Sequence, residues 1–283
     1  RADTTALKDL LRSAPHERDV SVLQSELEIQ LPNPAGEIES FRVVAYDMME
    51  PALQETWWYI RTWRGVSSTN PRVTIRLDWT DRGFHAMVRG GIGGSWFIDP
   101  LYWDRRDVYQ AYYKNDYPAP ERPFECHTEH EDIKPGFRPV NPGRAGDCQL
   151  RQYRTAVATT GEYSIYHGGT VAGVASAIAT TMNRVNGVYE EDLALRLVLV
   201  ANNNSIIYLD PATDPYSNGN GGAMLGQNQS NLDNVIGTAN YDIGHVFSTG
   251  GGGVASLRSP CTSTRKARGV TGQNIPEGDP FDI

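Results

Sequence analysis

The chain has 283 residues, 39% hydrophobic and 21% charged, with Lys+Arg 26 against Asp+Glu 34 and a net charge of −8. These figures exclude a coiled coil, a collagen-like repeat and a disordered chain, and they argue against a nucleic-acid partner held through its phosphates. No stretch approaches the ~18 apolar residues of a membrane span, and Trp 6, Tyr 14 and Gly 28 read as a β-rich, exported protein.

Because the sequence starts at Arg1 with no signal-peptide core, a removed leader or a shortened chain is expected. Residues 1–20, with Leu7, Leu10 and Leu11, suit a lead-in helix or an arm. From Ser25 to Tyr113 the pattern alternates as strands do. Leu27, Ile29 and Leu31 share one face, and after the turn 32–36 so do Phe41, Val43 and Ala45. Strands are further expected at 73–79, 84–88 and 95–99, the last two flanking the turn Gly90–Gly94. Residues 1–113 therefore read as an antiparallel β domain.

Pro118, Pro120, Pro123, Pro135, Pro139 and Pro142 fall in an aperiodic stretch, 114–147, which reads as an exposed connector open to cleavage. From 148 to 283 the texture is α/β. A strand is expected at 150–160, a helix from Thr170 to about Asn186 ended by Gly187, and strands at 193–202 and 205–209. A helix at 229–238, a strand at 241–248 and a short strand at 267–270 follow. The fold class is α+β.

The chain has three cysteines and six histidines. Cys126, Cys148 and Cys261 form no C-x-x-C, so a zinc ribbon or thioredoxin site is excluded, and an odd thiol is left over. His85 and His167 read as structural. Cys126-His127-Thr128-Glu129-His130 is dense in metal-ligand types. Its setting among prolines leaves a disulfide, most simply to Cys148, as a competing reading. In the loop 210–220, Asp210, Asp214, Asn218 and Asn220 offer hard oxygens suited to calcium, although turn chemistry alone selects the same residues. Gly250–Gly253 lacks the strand–glycine–helix setting of a phosphate loop.

The strings 150–163, 240–253, 266–272 and 278–283 resemble the upper catalytic subdomain of bacterial reprolysin-like (adamalysin-type) zinc metallopeptidases of the metzincin clan. Phe41-Arg42-Val43-Val44, Ile75-Arg76-Leu77-Asp78 and Gly83-Phe84-His85-Ala86-Met87 resemble the propeptide that precedes such domains. The resemblance implies a metalloendopeptidase zymogen, with protein or peptide substrates and a zinc-bound water as nucleophile. It departs from the family in one respect. No H-E-x-x-H occurs in the 283 residues, so the zinc helix is expected beyond Ile283, in a missing C-terminal catalytic segment, and this chain alone is expected to be inactive.

The resemblance further implies that His245, Val246, Phe247, Ser248, Gly250, Gly251 and Gly252 border the substrate cleft, next to an edge strand that pairs with substrate backbone. It also makes Cys126 a candidate latency ligand on the zinc, and leaves Cys261 to pair beyond Ile283. The expected location is secreted or cell-surface. Two other readings stay open: a non-catalytic inhibitory or binding module, and a β-rich adhesion module displaying Trp57, Trp58, Trp96 and Trp103.

Overall fold

The computed structural model describes residues 3–103, 105–117, 126–129 and 149–282, with the backbone alone at 126–129. Most of the connector, with Cys148, lies outside the described residues. Two compact units form: Arg1–Ala119 with Ala175–Gly187 and Asp282–Ile283, and Pro120–Val174 with Val188–Phe281.

The first unit is a seven-stranded antiparallel sheet whose order follows the chain. Its strands are β1 (Glu28–Pro32), β2 (Ile38–Ala45), β3 (Arg61–Ser67), β4 (Thr74–Thr80), β5 (Gly83–Arg89), β6 (Trp96–Tyr102) and β7 (Arg105–Tyr113). Helix α1 (Thr4–Arg12) is tied to it by the Trp63 indole, which donates to the Leu11 carbonyl at 2.9 Å. Helix α2 (Pro51–Thr56) lies between β2 and β3. The alternation places Phe41, Val43, Trp63, Ile75, Leu77, Trp79, Phe84 and Trp96 in one apolar core. The sequence pattern misses β3 and β7, where Arg61, Arg64, Arg105 and Arg106 interrupt the apolar period. Trp96, expected on an adhesive surface, is 0% exposed, because its strand parity turns it into this core. Trp58 and Trp103 are exposed as expected.

The second unit is a six-stranded sheet in the order β10-β9-β11-β13-β12-β8. The strands are β8 (Cys126–Glu129), β9 (Arg151–Thr159), β10 (Leu195–Leu199), β11 (Ile243–Ser248), β12 (Gly253–Ser256) and β13 (Gly269–Gly272). β10, β9, β11 and β13 run parallel, and β12 is antiparallel to β13. Ala156, Ala158, Leu225, Leu232, Val246, Val254 and Ala267 form its core with α5 (Gly221–Leu232). Helices α3 (Gly161–Tyr166) and α4 (Val171–Leu193) begin at Thr160 and Thr170, whose side chains accept from Tyr163 N and Gly173 N. A four-residue helix, α6 (Asp279–Asp282), ends the described chain.

Three expected boundaries need correction. Gly187 does not end α4, which continues to Leu193 and stops where Ala194 turns left-handed at φ 52°. The strand expected at 205–209 is instead a 3-10 turn at Asn203–Ile206 with one bridge, Ile207 to Thr159. There Asn203 reaches across to the Val157 backbone, accepting from its N–H at 2.8 Å and donating to its carbonyl at 3.0 Å. The helix expected at 229–238 begins earlier, at Gly221, because Asn220 caps it through Ala223 N.

Candidate functional site: the edge of the second sheet

The residues expected to line a cleft are gathered at one end of the second sheet, but not at its edge. His245–Ser248 lie on β11, whose backbone pairs with β9 on one side and β13 on the other. That backbone is engaged on both sides, so no further strand adds there. The strand next to the edge is β12. β8 lies on it in parallel, with Cys126 opposite Gly253 and Glu129 opposite Ser256.

Gly250–Gly252 form the turn that carries β11 into β12. Their lack of side chains serves the protein's own packing. A Cβ on Gly251 (φ +86°) would lie 2.8 Å from Gly221 N, and one on Gly272 would lie 1.8 Å from the Gly250 carbonyl oxygen. Ser248 Oγ donates to that same oxygen at 2.6 Å. The turn is therefore pinned between β13 and the start of α5.

His245 Nε2 is 2.8 Å from Thr271 Oγ1, and Gly269 leaves room for its ring. Burial pushes its imidazole down to about 4, so it is neutral near neutral pH. Together with its edge-on contact to Phe247, this makes it a brace between β11 and β13.

The oxygens of the 210–220 loop are engaged within the protein. Asp210 accepts from Ala212 N, and Asp214 accepts from Gly161 N at 2.6 Å and Tyr216 N at 2.8 Å. Asn218 accepts from Thr160 Oγ1 and Thr249 N, and Asn220 caps α5. The loop is thereby tied to the first turn of α3 and to the end of β11, and turn chemistry accounts for these side chains without a cation. Among the described residues, no group of three or more His, Cys, Asp or Glu side chains is placed to hold a metal ion. Cys261 is exposed and unpaired.

Residues 150–283 match the model of a family described as metallo-peptidase family M12B, reprolysin-like. The match covers a little under half of the chain, and this part is similar to the reprolysin-like metallopeptidases. No curated protein matches the chain. The match supports a metallopeptidase-related function for residues 150–283, and peptidases of that family act on proteins or peptides and are zinc-dependent in general. No helix among the described residues is long and apolar enough to cross a membrane.

The sequence reading passes over a second group of functional type, in the first unit. Buried Asp78, His85, Arg184 and Asp282, with half-buried Asp99, form a cluster of ionisable side chains in which the Arg184 guanidinium meets Asp99 and Asp282. Only the Asp-Pro-Phe-Asp-Ile string hinted at it. A buried Arg in mid-helix reads, from sequence alone, as a solvated face.

Proposed function

We propose that the chain is the zymogen portion of a secreted zinc-dependent metalloendopeptidase whose zinc helix follows the Asp279–Ile283 segment, with residues 1–113 as its propeptide. The observation that carries this is β8 on β12. An extended segment from before the peptidase region occupies the backbone edge to which a peptide substrate would add. While it lies there, β12 is paired with β8 over Gly253–Ser256 rather than open to substrate. Because β12 is antiparallel to β13 and β8 is parallel to β12, the resident strand meets a polarity fixed by the sheet rather than by a bond to be cut.

Cys126 stands at the start of that strand, opposite the glycine at which β12 begins. A thiolate is a strong zinc ligand and a serine hydroxyl, protonated near neutral pH, is a poor one. Latency through Cys126 then predicts that Cys126→Ser raises the activity of the uncleaved protein. The test is a longer chain that includes the H-E-x-x-H helix, assayed on a quenched-fluorescence peptide before and after cutting the connector. The expected result is a silent uncut form, an active cut form and an active uncut Cys126→Ser form. An uncut parent already at full activity would end the zymogen reading. A recovered Cys126–Cys148 peptide in non-reducing mapping would end the thiolate's part in it, and a longer chain that binds zinc yet never cleaves would favour an inhibitory module.

A further inference from the structure

Along β4 and β5 both faces of the first sheet are buried, and they differ in chemistry. One carries the apolar core. On the other, strand parity places Arg76, Asp78, His85, Met87, Phe97, Asp99 and Tyr112. A polar sheet face of this kind is ordinarily solvated. Here Arg76, Asp78 and His85 are buried, and Asp78 is 1% exposed. What covers them is residues 175–187 of α4, which belong to the same compact unit as the sheet.

The covering face of the helix is a stripe at i, i+3, i+4 and i+7: Thr180, Asn183, Arg184 and Gly187. Each position has a partner on the sheet. Thr180 Oγ1 donates to Asp78 Oδ1 at 2.8 Å, and Asn183 Nδ2 donates to Asp78 Oδ2 at 3.2 Å. Tyr46 OH donates to Asn183 Oδ1 at 2.5 Å. Arg184 Nη2 donates to Asp99 Oδ1 at 2.5 Å, and the guanidinium lies over the Phe97 ring. Arg89 donates to the Gly187 carbonyl at 2.9 Å. A Cβ on Gly187 would lie 2.6 Å from Met87 Cε and 2.8 Å from Arg76 Cγ. Glycine weakens a helix interior by about 1 kcal/mol against alanine, and close approach is the physical reason for one here.

Arg184 also donates to Asp282 Oδ2 at 2.7 Å, and Asp282 accepts from Thr181 Oγ1 at 2.6 Å. One guanidinium thus bridges a carboxylate of β6 and a carboxylate at the end of the described chain. Burial opposes charge on Asp99, but Arg184, with His85 and the Tyr112 hydroxyl, holds its carboxyl below the usual range. Burial wins at Asp282, whose carboxyl is pushed up despite the same guanidinium. Asp99 is therefore the firmer anion of the two.

We infer that this polar face is a specific docking surface for the 180/183/184/187 stripe of the chain's own α4, and that the first sheet stays bound through it after the connector is cut. The partner is this chain's own helix. The surface rests on the geometry above. Only its consequence, a propeptide that remains attached after cleavage, rests on the zymogen reading.

The test uses the full 283-residue chain with a site-specific protease sequence placed within 118–125, so that β8 stays with the second fragment. After cleavage under reducing conditions, the two fragments should co-elute at moderate salt. Asp99→Asn, which keeps the shape and removes the charge, should weaken their association at least tenfold. Gly187→Ala should weaken it too, although alanine strengthens the helix itself. That opposition separates docking from helix stability, and helicity of the second fragment by circular dichroism checks it. Fragments of the parent that part spontaneously, or both variants associating as tightly as the parent, would overturn the inference. Neither outcome bears on peptidase activity, which tests the zymogen reading by itself.

Discussion

The two sheets fill their cores in opposite ways. The first is built of neighbouring antiparallel strands in chain order, and large side chains fill it: Phe41, Trp63, Trp79, Phe84 and Trp96. The second joins strands distant in sequence, β9 to β11 and β11 to β13. There small residues let backbones meet. A Cβ on Gly244 would lie 2.4 Å from Leu232 Cδ2, and one on Gly161 would lie 2.2 Å from Pro211 N. The first core is the more sensitive to lost volume and the second to added volume, although Gly65 of β3 is also tightly enclosed, 2.6 Å from the Arg42 oxygen for an added Cβ.

The largest effect should come from filling the second core. Gly272→Val places its Cβ 1.8 Å from the Gly250 oxygen and 2.3 Å from Ser248 Oγ, so it should destabilise by about 5 kcal/mol or more. Urea unfolding followed by hydrogen exchange should show β11–β13 losing protection while β2–β5 keep theirs. Equal loss in both sheets would break the contrast. Trp96→Ala is the converse. It empties the first core at a fully buried position and should cost about 3–5 kcal/mol, with the loss confined to the first sheet.

A smaller effect is pH-dependent. The unfolded chain binds a proton at His245 near the ordinary 6.5, whereas the folded chain binds it only at about 4. The folded state therefore holds fewer protons in that window, and stability present above pH 6.5 should fall as the pH approaches 4. His245 is half-buried, so the loss should stay under about 2 kcal/mol. His245→Gln should flatten the urea midpoint against pH across that interval, and an unchanged slope would refute the brace. The smallest effect is at the α5 cap. Asn220→Ala should cost about 1 kcal/mol by loss of the bond to Ala223 N. If the loop works by turn chemistry alone, that cost should be the same with and without added calcium, as read from thermal unfolding. A calcium-dependent cost would restore the cation reading.

Much of the first sheet was legible because period-two alternation needs only a local stretch of sequence. β1, β2, β4, β5 and β6 lie within a few residues of the expected runs. β3 and β7 escaped because Arg64, Arg105 and Arg106 find carboxylate partners only once the chain has folded. At the candidate site, the sequence strings pointed to the family whose model matches residues 150–283. They did not say which strand has backbone to offer. That depends on β13, which arrives after β12 in sequence yet inserts between it and β11.

Sequence by itself determined the α+β class, the change of texture between the halves and the resemblance to reprolysin-like peptidases, because each is written in local periodicity or in contiguous strings. Tertiary structure alone decided what the buried polar residues do. Arg184, Gly187, Asp99 and Asp282 are separated by up to 183 positions along the chain, from 99 to 282, and meet in one cluster. An arginine on a helix reads as solvated until something covers it. Covering needs two carboxylates and a glycine-sized gap, and no local pattern announces either.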